Sequence, residues 1–163
     1  MPITFKTGDI LKSECRVLVN PVNCRGVSGK GLAKDFKEAF PYMFRFYQRL
    51  CRKDFMHIGQ TYTWHGEEKD ILLFPTKLIW TMPSEMYYIR NGLNYFVSQC
   101  DMWPESAPKS IAFPALGCGL GGLPWYEVKI LMTDKLRCLD MHIEIYGPLE
   151  IGGEHKTTPA DLG

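Results

Sequence analysis

The order of strands and helices along the chain restricts the possible folds more than any other feature of the sequence. Short runs rich in Val, Ile, Thr and Phe are typical of strands, and the segments between them repeat apolar residues every three or four positions, which is typical of helices. The order β-β-α-α-β-β-α-β-α-β predicts an α/β fold with three layers, in which a mixed central sheet carries helices on both faces. Ser84 is predicted to cap the third helix. The predicted strands are Ile3–Lys6, 16–20, 60–65, 70–75, Ser110–Pro114 and His142–Tyr146, and the predicted helices are 31–40, Pro41–Arg52, 84–103 and 124–139.

A glycine-rich segment, the second glycine loop (residues 115–125), joins the strand Ser110–Pro114 to the last helix. Its Gly117-x-Gly119-x-x-Gly122 spacing matches a dinucleotide-binding fingerprint. In a Rossmann fold this fingerprint follows the first strand, and several further strands come after it. Here only one predicted strand follows Gly122, so the Rossmann interpretation fails. Glycines still let a backbone approach a phosphate, and a helix N-terminus favours an anion, so the loop is either a phosphate cradle or a turn that needs positive φ.

The first glycine loop (residues 20–33) also follows a predicted strand and begins a helix. It is not a Walker A motif, because Gly31 follows Lys30 where Ser or Thr would bind magnesium, and this disfavours magnesium-dependent phosphoryl transfer. Asn20 and Asn23 carry amides that suit the hydroxyls of a ribose, although Asn is also common in turns. Two such loops would hold a ligand with phosphates in its middle and a sugar or base at each end.

The charges of the chain nearly cancel, with 19 Lys and Arg against 18 Asp and Glu. A polycationic surface for indiscriminate nucleic-acid binding is therefore excluded, and a nucleic acid would have to be recognised at a site. The charge is unevenly distributed, because residues 25–53 contain eight basic residues and only two acidic ones, Asp35 and Glu38. This basic segment is either a solvated helix face or a guide for a nucleic-acid strand.

The six cysteines contain no C-x-x-C pair, so neither a zinc site nor a disulfide framework is expected. Reduced thiols fit a cytoplasmic protein. The sequence shows no charged-then-apolar leader and no apolar run of the ~20 residues that a membrane span needs, so we expect no membrane contact.

Three segments resemble the signature motifs of macrodomains, a family that binds ADP-ribose. They are TGDIL (residues 7–11), VNPVNCRGVSGKGLAKDF (19–36) and PALGCGLGG (114–122), in the family's order. A narrower resemblance to the DNA ADP-ribose glycohydrolases, the antitoxin macrodomains of the DarT-DarG type, comes from GKG (29–31), FPTK (74–77) followed by Trp80, and GCGLGG (117–122). The resemblance implies a macrodomain over residues 1–148, and we expect residues 149–163 to form a flexible tail or linker stump.

The resemblance also implies how ADP-ribose would bind. Asp9 would hydrogen-bond the adenine amine, Ile10 and Tyr146 would border the adenine pocket, and Asn20 and Asn23 would face the distal ribose. Neither a cofactor nor a metal is implied. The other implied contacts are Gly29, Lys30, Gly31, Leu32, Thr76, Leu116, Gly117, Cys118, Gly119, Leu120, Gly121 and Gly122.

Lys77 matches the lysine that does the chemical work in related glycohydrolases, so the resemblance implies that it is catalytic. Non-DNA relatives pair that lysine with an aspartate in the second glycine loop. This chain has Gly121 at the matching position, as the DNA-specific subgroup has glycine there. The sequence leaves open whether Lys77 attacks the opened sugar as an amine or donates a proton. Trp80 and Trp125 would stack a modified base, with packing as the alternative, especially for Trp125.

The implied function is that of an ADP-ribosyl glycohydrolase that removes thymidine-linked ADP-ribose from single-stranded DNA. Such an enzyme would be the antitoxin to a cognate ADP-ribosyltransferase toxin, and we expect a monomer. Two alternatives stay open: a non-catalytic reader of ADP-ribose, and a hydrolase of protein-linked ADP-ribose or of ADP-ribose 1''-phosphate.

Overall fold

The computed structural model describes residues 3–148 and contains a six-stranded sheet between two layers of helices. Its elements are β1 (Ile3–Lys6), a short 3-10 helix (Ile10–Lys12), β2 (Val17–Asn23), α1 (Gly31–Ala39), α2 (Pro41–Arg52), β3 (Tyr62–His65), β4 (Asp70–Lys77), α3 (Met86–Cys100), β5 (Ser110–Pro114), α4 (Trp125–Leu136) and β6 (His142–Tyr146). The strand order is β1-β6-β5-β2-β4-β3, and every neighbouring pair is parallel except β3 with β4. The predicted three-layer α/β/α fold with a mixed sheet is confirmed.

Each face of the sheet has its own apolar core. On one face α1 and α2 bury Phe36, Met43 and Tyr47 against the strands. On the other face α3 and α4 bury a second set that includes Phe96 and Val128. Fully burying a large apolar side chain contributes roughly 1.5–3 kcal/mol, so these two clusters fix the helices to the sheet. Within the described part of the chain, no helix combines the length and the apolar character that a membrane span requires.

Strands β2 and β5 are neighbours for a short distance only. They pair at Val17 and Leu18 and separate beyond these residues, at the edge where the five parallel strands end. Pro21 and Pro114 lie along the opening, and proline has no N–H to offer a neighbouring strand, so the separation costs little hydrogen bonding there. The chain continues from β2 toward β4 on one side and from β5 toward β6 on the other, which is the type of switch point where α/β folds bind ligands.

The bounds of six elements differ from the sequence prediction, namely those of β2, α1, β3, β4, α3 and α4. Parallel pairing carries β2 and β4 beyond their predicted ends to the partners Asn23 and Lys77. Helix α3 begins at Met86 with Glu85 as its N-cap, so the predicted cap at Ser84 is wrong. Ser84 instead lies in a loop contact, where its N–H donates to the carbonyl of Gly121 at 3.0 Å.

Candidate active site

A cleft of about 920 Å³ opens where β2 and β5 separate. This volume is in the range of small-molecule sites, and both glycine loops contribute to the wall. Most of the predicted site residues line it: Asp9, Ile10, Asn23, Gly29, Lys30, Leu32, Thr76, Lys77, Gly117, Gly119, Leu120, Gly121 and Tyr146. The predicted site residues outside its wall are Asn20, Gly31, Leu116, Cys118 and Gly122.

The first glycine loop is held in shape by the side chains of Asn23 and Tyr47. The Tyr47 hydroxyl lies 2.7 Å from Asn23 Oδ1 and 2.8 Å from the Asn23 carbonyl, and it accepts the N–H of Gly26 at 3.2 Å. Asn23 Oδ1 also accepts the N–H of Arg25 at 2.9 Å, and Asn23 Nδ2 donates to the carbonyl of Val27 at 2.8 Å. Burial raises the pKa of Tyr47, so its hydroxyl stays a neutral donor. The amide of Asn23 therefore mainly builds the loop.

Asn20 is 1% exposed, and its amide is turned into the core, with Nδ2 at 3.7 Å from Met43 Sδ. Its Oδ1 has no hydrogen-bond partner, and the same holds for the hydroxyls of Ser28 and Ser84 among the described residues. An unpartnered buried polar group costs roughly 1–3 kcal/mol. All three lie in segments that shape the cleft, and departures from ordinary packing rules are expected at functional sites.

Helices α1 and α4 both begin at a glycine loop. Their N-cap residues are Lys30 and Pro124, and neither side chain caps its helix. The first N–H groups of a helix have no intrahelical acceptor, and the helix dipole adds positive potential there. Lys30 is exposed and lines the cleft, so it adds a full positive charge at the start of α1. The two loops are thus suited to hold an anionic group between them.

The second glycine loop leaves no room for a side chain at Gly121. A Cβ at this position would overlap Ser84 Oγ and would lie 2.5 Å from the carbonyl oxygen of Gly117. Gly117 has φ +74° and accepts the N–H of Leu123 at 2.9 Å, which closes the turn. A carboxylate at position 121 would therefore require the backbone to move, and the loop offers backbone groups to a ligand.

Lys77 is the last residue of β4 and lines the cleft beside its strand partner Asn23. Its Nζ lies 3.5 Å from the carbonyl oxygen of Trp80, which is a long hydrogen bond. Burial lowers the pKa of Lys77, because desolvation disfavours the charged ammonium. The structure therefore brings a lysine with a lowered pKa to the same edge of the sheet as the first glycine loop.

Residues 78–85, the strap, connect β4 to α3 and touch both glycine loops. The carbonyl of Leu78 accepts the N–H of Cys24 at 3.2 Å, and the N–H of Ser84 donates to Gly121. Trp80, in the middle of the strap, is 60% exposed and lines the cleft. Its indole is thus accessible to a ligand.

Trp125 has a different environment, because it is 2% exposed in the core below α4. A Cβ on Gly147 would lie 2.6 Å from its indole, so the two residues pack closely. Of the two tryptophans proposed for base stacking, Trp80 is available and Trp125 is a core residue.

The predicted adenine end of the cleft is built from Asp9, Ile10 and Tyr146. Asp9 caps the 3-10 helix, since its Oδ1 accepts the N–H of Leu11 at 2.9 Å. Ile10 is 3% exposed. Because one Asp9 oxygen holds the local backbone, the carboxylate has a fixed position at this end of the cleft.

A buried carboxylate, Glu144, supports Tyr146 from below. It accepts hydrogen bonds from Ser13 Oγ at 2.7 Å and from the Tyr146 hydroxyl at 3.2 Å, and it pairs with Lys6 Nζ at 3.3 Å. Burial alone would raise the pKa of Glu144, but the hydrogen bonds from Ser13, His142 and Lys6 lower it to about 2. The carboxylate is therefore ionised at neutral pH and ties β1, β6 and the 3-10 helix region together.

Metal and thiol chemistry have little support in the described residues. Cys15, His142 and Glu144 place three possible ligand atoms within 4.8 Å of one another, but Glu144 is already engaged by Lys6 and Ser13. In the glycine loops, burial raises the pKa of Cys24 to about 11 and that of Cys118 to about 12. These thiols therefore remain protonated at neutral pH.

Several residues of the cleft wall were missed by the sequence analysis, among them Val27, Ser28, Ala33 and Asp35. Asp35 lies three residues after Leu32, which lines the cleft, so helical spacing could have placed it on the cleft side of α1. Other missed residues lie at strand ends and in the flanking turns, where their position depends on which strands are neighbours: Thr7, Gly8, Pro21, Val22, Pro114, Ala115, Gly147 and Pro148.

Comparison with known proteins gives consistent matches. The Macro domain family model matches residues 19–132. A DNA ADP-ribosyl glycohydrolase from Thermus aquaticus is 36% identical over 162 residues, which cover 96% of this chain and 44% of that protein. A DNA ADP-ribosyl transferase-DNA ADP-ribosyl glycohydrolase fusion protein from Thermosipho africanus is 37% identical, over 91% of this chain and 42% of that protein. The chain thus spans less than half the length of these curated relatives.

Solved structures match the backbone as well. The macrodomain of Mycobacterium tuberculosis DarG superposes with a TM-score of 0.85 at 37% identity, over 91% of this chain and 99% of that one. Thermosipho africanus DarTG in complex with ADP-ribose gives a TM-score of 0.85 at 35% identity, over 98% of this chain and 45% of that one. The backbone match therefore extends over most of the chain.

Proposed function

The chain belongs to the macrodomain family, and we propose that it binds ADP-ribose and hydrolyses the bond between ADP-ribose and thymidine in single-stranded DNA. The names of relatives that are 36% and 37% identical support this activity. The observation that carries the proposal is Lys77, a half-buried lysine with a lowered pKa, in the same cleft as a second glycine loop that has no room for a carboxylate at Gly121.

ADP-ribose would lie across the sheet edge with its adenine at Asp9, Ile10 and Tyr146. Its diphosphate would lie between the N-termini of α1 and α4, where the backbone N–H groups and Lys30 stabilise negative charge. The distal ribose would then reach Lys77. A fixed diphosphate holds the reacting sugar in place, which lowers the entropic part of the barrier.

Lys77 can serve the reaction in two ways. As an acid, the ammonium protonates the thymine nitrogen as the glycosidic bond breaks and water adds to the anomeric carbon. As a nucleophile, the neutral amine adds to the anomeric carbon of the opened sugar, thymine leaves, and water hydrolyses the resulting imine to ADP-ribose. Burial lowers the pKa of Lys77, which increases the neutral fraction near pH 7 and favours the second route.

Two measurements distinguish these routes. Borohydride added during turnover reduces an imine, so the nucleophilic route predicts ADP-ribose bound covalently to Lys77. In the same route kcat rises as pH increases through the pKa of Lys77, whereas an acid predicts a fall over that range.

The substrate class is tested by comparing three substrates with one enzyme preparation. They are an oligonucleotide with ADP-ribosylated thymidine, a protein with an ADP-ribosyl ester, and ADP-ribose 1''-phosphate. We expect cleavage of the oligonucleotide at a rate well above those of the other two. Binding of ADP-ribose without cleavage of any substrate would instead identify a reader, and preferential cleavage of the ester or the phosphate would refute the DNA linkage.

The same proposal includes a cellular role. The chain would counteract a cognate ADP-ribosyltransferase toxin, an inference supported by the relative in which both activities are named for one fusion protein. It would act as a monomer in the cytoplasm, where its six free cysteines stay reduced.

A further inference from the structure

The strap (residues 78–85) has a fixed backbone. Besides its bonds to Cys24 and Gly121, its own turn is closed by the N–H of Met82, which donates to the carbonyl of Ile79 at 3.1 Å. The carbonyl of Trp80 accepts from Lys77. Three hydrogen bonds thus join the backbone of the strap to other residues and a fourth closes its own turn, and the strap is bonded to both glycine loops.

Its large apolar side chains nevertheless point to solvent. Leu78 is 48% exposed, Trp80 is 60% exposed and Met82 is 51% exposed. These three side chains, which we call the apolar strip, lie within five residues of one another on a segment whose backbone is held in place. Exposed apolar side chains that lie together commonly mark a binding surface.

The strip begins where a substrate leaves the cleft. Lys77 and Trp80 both line the cleft wall, and Leu78 directly follows Lys77. Whatever is attached to the distal ribose must pass Lys77, and the groups beyond it would meet the strap next. The strip is therefore continuous with the leaving-group end of the proposed active site.

The two ends of the strap differ in charge. Arg25, which is exposed, directly follows Cys24 and so lies near the Leu78 end, whereas Glu85 is exposed at the other end. Several other cations of the basic segment have local partners, since Lys34 pairs with Glu38 and Lys37 lies over the ring of Phe44. Phosphates are therefore favoured near Arg25 and disfavoured near Glu85.

We propose that the strap is a platform for the nucleotides that flank the ADP-ribosylated base, with Leu78 and Met82 contacting bases and Arg25 close to a phosphate. This inference rests on the proposed function. Single strands bind to such surfaces because every base has an apolar face, so contacts of this kind need no particular DNA sequence. Leu78 and Met82 thereby add affinity for a strand while the chemistry stays at Lys77.

The test compares ADP-ribosylated thymidine nucleoside with a single-stranded oligonucleotide of about ten nucleotides that carries the same modification once. For the unaltered protein we expect a higher kcat/KM on the oligonucleotide. The double variant Leu78→Ser/Met82→Ser should lower the oligonucleotide-to-nucleoside ratio of kcat/KM about fivefold or more. The reason is that two apolar side chains, which the bound strand would partly bury, are lost. Arg25→Gln should lower the salt dependence of oligonucleotide binding.

Met102→Ser is the matched control, because Met102 is 78% exposed beyond the far end of α3 and should leave the ratio unchanged. The platform is refuted if the oligonucleotide-to-nucleoside ratio of kcat/KM is the same in the double variant and the unaltered protein. That result is also the one expected if the apolar strip binds a protein and not DNA. Circular dichroism shows that each variant is folded. Failure of the proposed function looks different, since the unaltered protein would then cleave neither substrate.

Discussion

Replacing Glu144 by glutamine should destabilise the fold in a manner that depends on pH. The hydrogen bonds from Ser13, His142 and Lys6 lower the pKa of Glu144 from 4.5 to about 2 against the opposing effect of burial. A shift of this size corresponds to about 3 kcal/mol of stability at pH 7. The Glu144 side chain is 9% exposed but its partner Lys6 is 44% exposed, so solvent screens the pair with Lys6 more than the buried hydrogen bond from Ser13. Glutamine keeps the shape and can still accept from Ser13, and we therefore expect a loss of about 2 kcal/mol.

The pKa of Glu144 is lower in the folded state, so its contribution is complete above pH 4.5 and is lost as pH falls toward 2. The free energies of unfolding of the two proteins, measured in urea, should thus differ by about 2 kcal/mol at pH 7 and by less than about 1 kcal/mol at pH 3. Glu38→Gln is the control, because Glu38 is 64% exposed in a surface pair and should change stability by less than ~0.5 kcal/mol. A difference for Glu144→Gln that is equal at both pH values would refute the account of the network.

Two further changes test how the glycine loops are built. Tyr47→Phe leaves the N–H of Gly26 without its buried acceptor, and we expect it to lower the free energy of unfolding in urea by about 1–3 kcal/mol. The same change should weaken ADP-ribose binding measured by calorimetry. An unchanged Kd would contradict a role of Tyr47 in shaping the first glycine loop. Gly121→Ala puts a Cβ against Ser84 and the carbonyl of Gly117; we expect ADP-ribose affinity to fall about tenfold, roughly 1.4 kcal/mol, and normal affinity would show that the second glycine loop can yield there.

The sequence predicts most of the fold because its signals are local. The spacing of Phe36, Phe40 and Phe44 indicates the helices α1 and α2, and short apolar runs indicate all six strands. The errors occur where contacts between distant segments decide the structure. Strand β2 continues through Pro21 to Asn23 because β4 pairs with it, and no local pattern signals this pairing.

The candidate site is predictable where a motif carries it and less so elsewhere. Lys77 and Tyr146 line the cleft as the resemblance implies. Asn20 does not, because its side chain faces Met43 in the core, a direction that depends on how β2 meets α2. The role of Ser84 was also hidden, since Gly121, its contact, is far away in sequence. Such contacts follow from the assembled sheet.

The reaction at Lys77 is tested most directly by single-turnover cleavage of ADP-ribosylated thymidine by the Lys77→Ala variant, with its ADP-ribose Kd measured in parallel. Lys109→Ala is the control, because Lys109 is an exposed lysine just before β5, at the opposite edge of the sheet. We expect Lys77→Ala to bind ADP-ribose with an unchanged Kd and to cleave at least about a hundredfold more slowly, in the range found for groups that transfer protons or form covalent intermediates. Cleavage by Lys77→Ala at the rate of the unaltered protein would contradict the account.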